Sequence, residues 1–281
     1  MVNGAKRVLV FDSGVGGLSV LDAIAACGHA FELDYAADNA WLPYGLKTDE
    51  QLRARVPALL SRLVEQWSPD AVVVACNTAS TIALEPVRAA LSVPVVGVVP
   101  PIKPAAALTK TGVIGLLATP ATVQRAYTND LITQFADGKR VIRFGSTALV
   151  EAAERKLRGE PVDNSAIQEA IDGLFGAPGG ADIDVVALAC THFPLLAAEL
   201  AAAAPRQSLW MDSGAAIARR LANVLIAEEG APRVQRAAFT SGDSARALLR
   251  AFEARGFSDF SHIADAPSFE VAPLLPAASA T

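Results

Sequence analysis

Short runs of consecutive apolar residues alternate with longer stretches rich in Ala and Leu, an order that predicts repeated βα units around parallel sheets. Strands are expected at Arg7 to Phe11, Leu33 to Ala36, Ala71 to Ala75, Val95 to Val98, Gly112 to Leu117, Arg140 to Phe144, Asp184 to Ala189 and Ala237 to Thr240. These runs are apolar throughout rather than alternating, as strands covered on both faces are. Helices are expected at Leu18 to Ala26, Glu50 to Gln66, Thr78 to Leu91, Thr122 to Phe135, Ser165 to Phe175 and Ala215 to Ala227.

A chain of 281 residues is longer than one average domain of about 100 to 200 residues, so two domains are expected. The break Val99-Pro100-Pro101-Ile102 and the segment Ser208 to Asp212, read as a further strand or turn, mark the boundaries. The first α/β domain is expected to take 1–98 and 211–272, the second 99–210, with the Gly/Pro cluster Gly176 to Gly180 a loop inside it. The small, proline-bearing stretch 273–281 reads as a flexible tail. An internal repeat links the halves: Val72-Val73-Val74-Ala75-Cys76-Asn77-Thr78 resembles Val185-Val186-Ala187-Leu188-Ala189-Cys190-Thr191-His192. Val8 to Gly14 has a looser counterpart in Val113 to Pro120, which predicts duplication of a whole α/β half.

Composition narrows the function. The chain is 52% hydrophobic, with mean hydropathy +0.34, but only 19% charged and 6% aromatic. A net charge of -5 and a pI near 5.3 argue against nucleic acid or an anionic membrane surface as partner, leaving a small molecule. The VLVF run near the amino end is too short for a signal core or a membrane span, so a cytoplasmic protein is expected. Few residues precede the first strand, and no amino-terminal regulatory extension is predicted. Three cysteines without short spacing cannot form a disulfide framework, which suits a reducing compartment.

Ligands of open α/β sheets sit beyond the carboxyl ends of the strands. Cys76 and Cys190 both fall there, each ahead of an expected helix start whose free N–H groups favour thiolate over thiol. Either cysteine alone reads better as a buried, inert residue; two in matched motifs reverse that and point to function. Cys27 ends an expected helix, where the dipole disfavours a thiolate, and is assigned no role. The segment Asp12-Ser13-Gly14-Val15-Gly16-Gly17 joins the first strand to a helix with a backbone that can approach a carboxylate closely. It is not the dinucleotide fingerprint, and Asp12 would repel a pyrophosphate. The Pro43-Tyr44-Gly45 end of a loop offers a phenol and an N–H, while Asp212-Ser213-Gly214 reads as a helix cap.

Taken together, Phe11 to Val20, Pro43-Tyr44-Gly45, Ala75 to Ser80, Ala189 to Leu196 and Asp212-Ser213-Gly214 resemble the motifs of the glutamate racemases, in the cofactor-independent aspartate/glutamate racemase family. The resemblance implies two similar parallel-sheet α/β domains related by a pseudo-twofold duplication, facing each other across a cleft. It implies no cofactor and no metal, glutamate as the small-molecule substrate, and D-glutamate supplied for peptidoglycan; a homodimer is left open. By motif position Asp12, Cys76, Cys190 and His192 match the acid, base and supporting groups, and Ser13, Tyr44, Gly45, Asn77, Thr78 and Thr191, with Asp12 and His192, match substrate contacts. A further acidic helper follows a Cys-Pro segment in many members. Here the stretch Gly145 to Glu154 lacks Cys-Pro, so Glu154 is the match and Glu151 its rival.

Racemisation removes a proton from one face of the α-carbon and delivers one to the other, which needs an acid and a base on opposite sides. A free thiol, with a pKa of about 8.5, is close enough to neutrality to serve in both roles. The alternatives are a racemase of another acidic amino acid such as aspartate, a zinc site built from Cys76, Cys190 and His192, and a binding protein without turnover.

Overall fold

The computed structural model describes residues 5–263; the expected tail at 273–281, and 264–272 of the expected first domain, lie outside them. From the amino end the chain runs β1 (Lys6–Asp12), α1 (Leu18–Ala25), β2 (Phe31–Ala37), α2 (Asp49–Trp67), β3 (Ala71–Val74), α3 (Asn77–Ala90) and β4 (Val95–Gly97). It continues through α4 (Ile102–Leu108), β5 (Val113–Ala118), α5 (Pro120–Gln124), α6 (Ala126–Phe135), β6 (Arg140–Gly145), α7 (Ala148–Leu157), α8 (Asn164–Phe175), β7 (Val185–Leu188), α9 (Ala197–Ala203) and β8 (Leu209–Met211). Then come α10 (Gly214–Leu225), β9 (Arg233–Phe239), α11 (Gly242–Arg246), α12 (Leu249–Glu253) and β10 (Asp259–His262).

The strands form two parallel sheets, one in the order β10-β9-β2-β1-β3-β4 and the other β6-β5-β7-β8. The first draws strands from both ends of the described chain, the second from its middle. With β9 and β10 set aside, β2-β1-β3-β4 and β6-β5-β7-β8 are the same arrangement, as the repeat in the sequence predicts. The equivalence reaches single bonds: Ala75 N donates to Phe11 O, and Ala189 N to Leu117 O, both at 2.8 Å. Phe11 therefore matches Leu117, Asp12 matches Ala118 and Ser13 matches Thr119.

Both faces of each sheet are covered, which is why the strands are apolar without alternation. Val8 and Val10 pack with α1 and α10, whereas Leu9 and Phe11 pack with α2 and α3. In the other half Ile114 and Leu116 face α4 and α6, and Leu117 faces α7 and α8. Each such side chain contributes about 1.5–3 kcal/mol by leaving water, so the sheets are rigid supports for the loops at their carboxyl ends. No described helix is long and apolar enough to cross a membrane.

The expected helix Thr122 to Phe135 is two helices. Arg125 is extended (φ -66°, ψ 144°), ending α5 and starting α6. Thr128 fills the break, its hydroxyl donating to Thr122 O at 2.6 Å.

Candidate active site

The first wall of the site is the turn after β1. Gly14 N donates to Asp12 Oδ1 at 2.8 Å, and the buried Tyr35 hydroxyl donates to Gly14 O at 2.7 Å. Its glycines have a steric reason. A Cβ on Gly14 would lie 2.5 Å from Glu154 Oε1, and one on Gly16 2.5 Å from both His192 Nδ1 and Thr191 Oγ1. The carboxylate that this backbone approaches thus belongs to the other half of the protein: Val15 N donates to Glu154 Oε1 at 3.0 Å. Two more bonds join the halves here, from Ser19 Oγ to Thr191 O at 2.8 Å and from Thr191 Oγ1 to Asp12 Oδ2 at 3.0 Å.

Cys76 ends the run after β3 and occupies the N-cap position of α3. Its Sγ lies 3.6 Å from Ser13 Oγ. The helix start does not make it a thiolate. Burial, joined by the charge of Asp12, raises the thiol from 9.0 to about 12, outweighing the Ala79 N–H and the Ser13 hydroxyl that work the other way. Asp12 is itself raised from 3.8 by burial, against the opposing pull of His192, Gly14 N–H and the Thr191 hydroxyl.

Cys190 departs from expectation in its backbone. No α-helix begins there; Thr191 and His192 form a turn, and Phe193–Leu196 a single 3-10 helix containing Pro194, before α9 starts. Its neighbour is instead an imidazole, with His192 Nδ1 3.8 Å from Cys190 Sγ and His192 Nε2 2.9 Å from Glu154 Oε1. Burial disfavours a charge on His192, but Cys190 and Glu154 together overcome it and hold the imidazolium well above the ordinary 6.5. Glu154, on α7, is buried, while Glu151 points outward to Arg158 at 3.1 Å. Among the two rival carboxylates, Glu154 is the one that reaches the site.

Both thiols line one cleft, together with Ser13, Tyr44, Gly45, Asn77, Thr78, Thr191 and His192. Asp12 and Glu154 stand behind this lining, touching it through Thr191 and His192. Asn77 is buried and its Oδ1 has no partner among the described residues, leaving an acceptor for a bound ammonium or hydroxyl. Tyr44 is placed in the wall, but its hydroxyl is spent on Asp38 Oδ2 at 2.6 Å, so the loop's free donors are backbone groups. Leu42, Thr119, Thr122 and Val150 line the cleft as well and were not singled out by motif. Thr119 was within reach of the sequence: the looser repeat aligns it with Ser13. No cluster of three or more His, Cys, Asp or Glu among the described residues is placed to hold a metal ion.

Comparison with known proteins bears on what such a cleft does. Residues 16–221 match the family model described as Asp/Glu/Hydantoin racemase. The chain is 57% identical over 217 residues to glutamate racemase of Sphingopyxis alaskensis, covering 77% of this chain and 81% of that protein. It is 51% identical over 223 residues to glutamate racemase of Vibrio cholerae, covering 79% and 82%. Among solved structures it is similar to Escherichia coli glutamate racemase, described in complex with L-glutamate and the activator UDP-MurNAc-ala. That match has TM-score 0.84 and 42% identity, and covers 92% of this chain and 98% of the other. An aspartate racemase of Picrophilus torridus shares the fold at TM-score 0.53 and 16% identity.

Proposed function

The chain belongs to the Asp/Glu/hydantoin racemase family, and on that premise we propose that it interconverts L-glutamate and D-glutamate by proton transfer between two thiols and the α-carbon. The observation that carries this reading is the meeting of Cys76 and Cys190, from equivalent positions of two duplicated halves, in one cleft.

The α-hydrogen of an amino acid is weakly acidic, so the site must hold developing negative charge on the α-carboxylate. Donors at the start of α3 and the hydroxyls of Ser13, Thr78 and Thr191 are of the right kind, and Asn77 Oδ1 accepts from the substrate ammonium. One cysteine, as thiolate, takes the α-hydrogen; the other, as thiol, gives its proton to the opposite face. The pair holds one proton before and after, with the roles exchanged, and the reverse reaction or exchange with solvent restores the starting form. Cys76 keeps its proton because burial and Asp12 oppose a second negative charge. An incoming ammonium offsets Asp12 and eases that restriction. His192, protonated and braced by Glu154, holds or returns the proton at Cys190. No lysine lines the cleft, so the lining offers no amine for a Schiff base with a carbonyl cofactor.

The D-glutamate formed is the substrate for peptidoglycan assembly, and three free thiols suit a cytoplasmic enzyme. The relatives above 50% identity favour glutamate over aspartate, since the likeness to the aspartate racemase extends to fold alone. Polarimetric initial rates with each enantiomer of both acids test this. Glutamate is expected to exceed aspartate by at least about 10- to 200-fold in kcat/KM, the discrimination one methylene gives. Faster turnover of aspartate overturns the substrate assignment, and binding of glutamate without turnover overturns the racemase reading.

A further inference from the structure

Tyr44 and Gly45 lie on a loop between β2 and α2 whose only regular structure is two 3-10 turns, Asn39–Trp41 and Tyr44–Leu46. The loop is folded around one buried ion pair. Arg55, on α2, is 2% exposed among Leu52, Val56 and Leu59. Its Nε donates to Asp38 Oδ2 at 2.6 Å and its Nη2 to Asp38 Oδ1 at 2.7 Å. The Tyr44 hydroxyl donates to the same Oδ2 at 2.6 Å, and the Thr240 hydroxyl to Oδ1 at 2.8 Å. The Trp41 ring centre lies 4.3 Å from the guanidinium carbon. Asp38 N donates to Asp12 O at 2.9 Å, fixing the start of the loop against the strand end that carries the site's own carboxylate.

Neither Arg55 nor Asp38 lines the cleft. A fully buried ion pair gives little net stability over an apolar replacement, because removing both charges from water is costly. Its forked, two-bond geometry is nevertheless well suited to fixing direction. We propose that Arg55 is a positioning residue: through Asp38 it holds the Tyr44 ring, and through that ring it sets the Tyr44-Gly45 backbone that meets the substrate. The inference rests on the racemase reading of the cleft. The thiols and their partners sit on other elements, so loosening this loop weakens substrate binding and leaves proton transfer in place. Loss therefore appears in KM for both enantiomers together, with kcat held.

Steady-state kinetics of the wild type, Tyr44→Phe, Arg55→Lys and Arg55→Met, with thermal unfolding of each, test this. Tyr44→Phe removes one hydroxyl and is expected to raise KM for both enantiomers about tenfold, the effect of a lost bond to a charged group, with kcat within about twofold. Arg55→Lys keeps the charge without the fork and moves KM the same way; Arg55→Met moves it further. A Tyr44→Phe enzyme with wild-type KM, or one that loses kcat at unchanged KM, overturns the inference, and it decides the matter even where an Arg55 variant fails to fold. Wild-type turnover of glutamate tests the racemase reading separately, so failure of the two is distinguishable.

Discussion

The two halves of the cleft start from one plan and end in different chemistry. In each, the strand third in sequence within its half ends in Ala-Cys and delivers a thiol to the same cavity. Around Cys76 stand the Ser13 hydroxyl, the start of a full α-helix and the carboxyl of Asp12; around Cys190 stand a tight turn and the His192–Glu154 pair. The equivalences make the divergence explicit: Asp12 corresponds to Ala118, and His192 to Thr78. Duplication explains why two thiols line one cleft. On the proposed mechanism, divergence would give each a separate means of managing its proton, a carboxyl beside Cys76 and an imidazole beside Cys190. The surroundings of the two thiols are coupled, since Asp12 and His192 act on each other electrostatically and Thr191 bonds to Asp12 between the two halves.

The largest effect expected tests whether the halves are equally necessary. Cys76→Ala and Cys190→Ala should each lower racemisation by at least about 10²- to 10⁴-fold, the range for a lost acid or base, with near-native circular dichroism. A variant that retains more than a few per cent of turnover would remove its cysteine from the mechanism and end the symmetry.

Smaller effects should reveal the asymmetry. Asp12→Asn and His192→Asn should each slow turnover by about 10²-fold at most, with a primary isotope effect on α-deuterated glutamate that rises for one enantiomer. The enantiomers should be opposite in the two variants if, as proposed, Asp12 serves Cys76, on which its charge acts, and His192 serves Cys190, beside which it lies. The same enantiomer affected in both variants would contradict the division of labour.

Glu154→Gln addresses His192 through its charge state. Wild-type His192 has a folded pKa well above 6.5, so the stability its protonation contributes is fully present below 6.5 and is lost as pH rises through the folded value. The variant weakens that contribution. Its deficit in unfolding temperature should therefore be widest below the ordinary histidine pKa of about 6.5 and shrink as pH rises through the folded value. A deficit independent of pH would mean that Glu154 acts by packing alone. Cys27→Ala should have the smallest effect, because the half-exposed thiol merely packs at the edge of the first core; turnover should stay near wild type. A large loss with intact stability would mean that the thiols have been misassigned.

Much of this was legible in the sequence because a duplicated parallel sheet writes itself as long apolar runs, and because Ala-Cys recurs at equivalent strand ends. Expected strands such as Arg140 to Phe144 fall within a residue or two of those observed, except that β9 begins at Arg233, four residues before the expected Ala237. Helices α4, α7, α9, α11 and α12 and strand β10 were not anticipated; in α4 IKPAAAL follows two prolines, and in α9 Ala-rich AAELAAA has few large apolar residues to set a period. The helix expected at Cys190 is absent for a local reason. Phe193 N already donates to Cys190 O at 3.1 Å in a tight turn, and Pro194 has no N–H to extend an α-helical start. Partners brought together from distant positions, such as Glu154 with Val15 or Arg55 with Asp38, carry no local signal. Choosing Glu154 over Glu151 needed the direction of α7, whose inner face buries Glu154 among Val150 and Ala153.

The central claim is that two thiols act from opposite faces, and racemisation in heavy water tests it most directly. The reaction is run from each enantiomer in turn and the α-hydrogen is read by mass spectrometry before product accumulates. Thiols exchange with solvent quickly, so the delivering thiol is already deuterated, while the abstracted proton stays on its partner. Product should carry solvent deuterium from the first turnovers in both directions, and recovered substrate should carry little. Early product that retains the substrate's own hydrogen would show a single base serving both faces and would contradict the account.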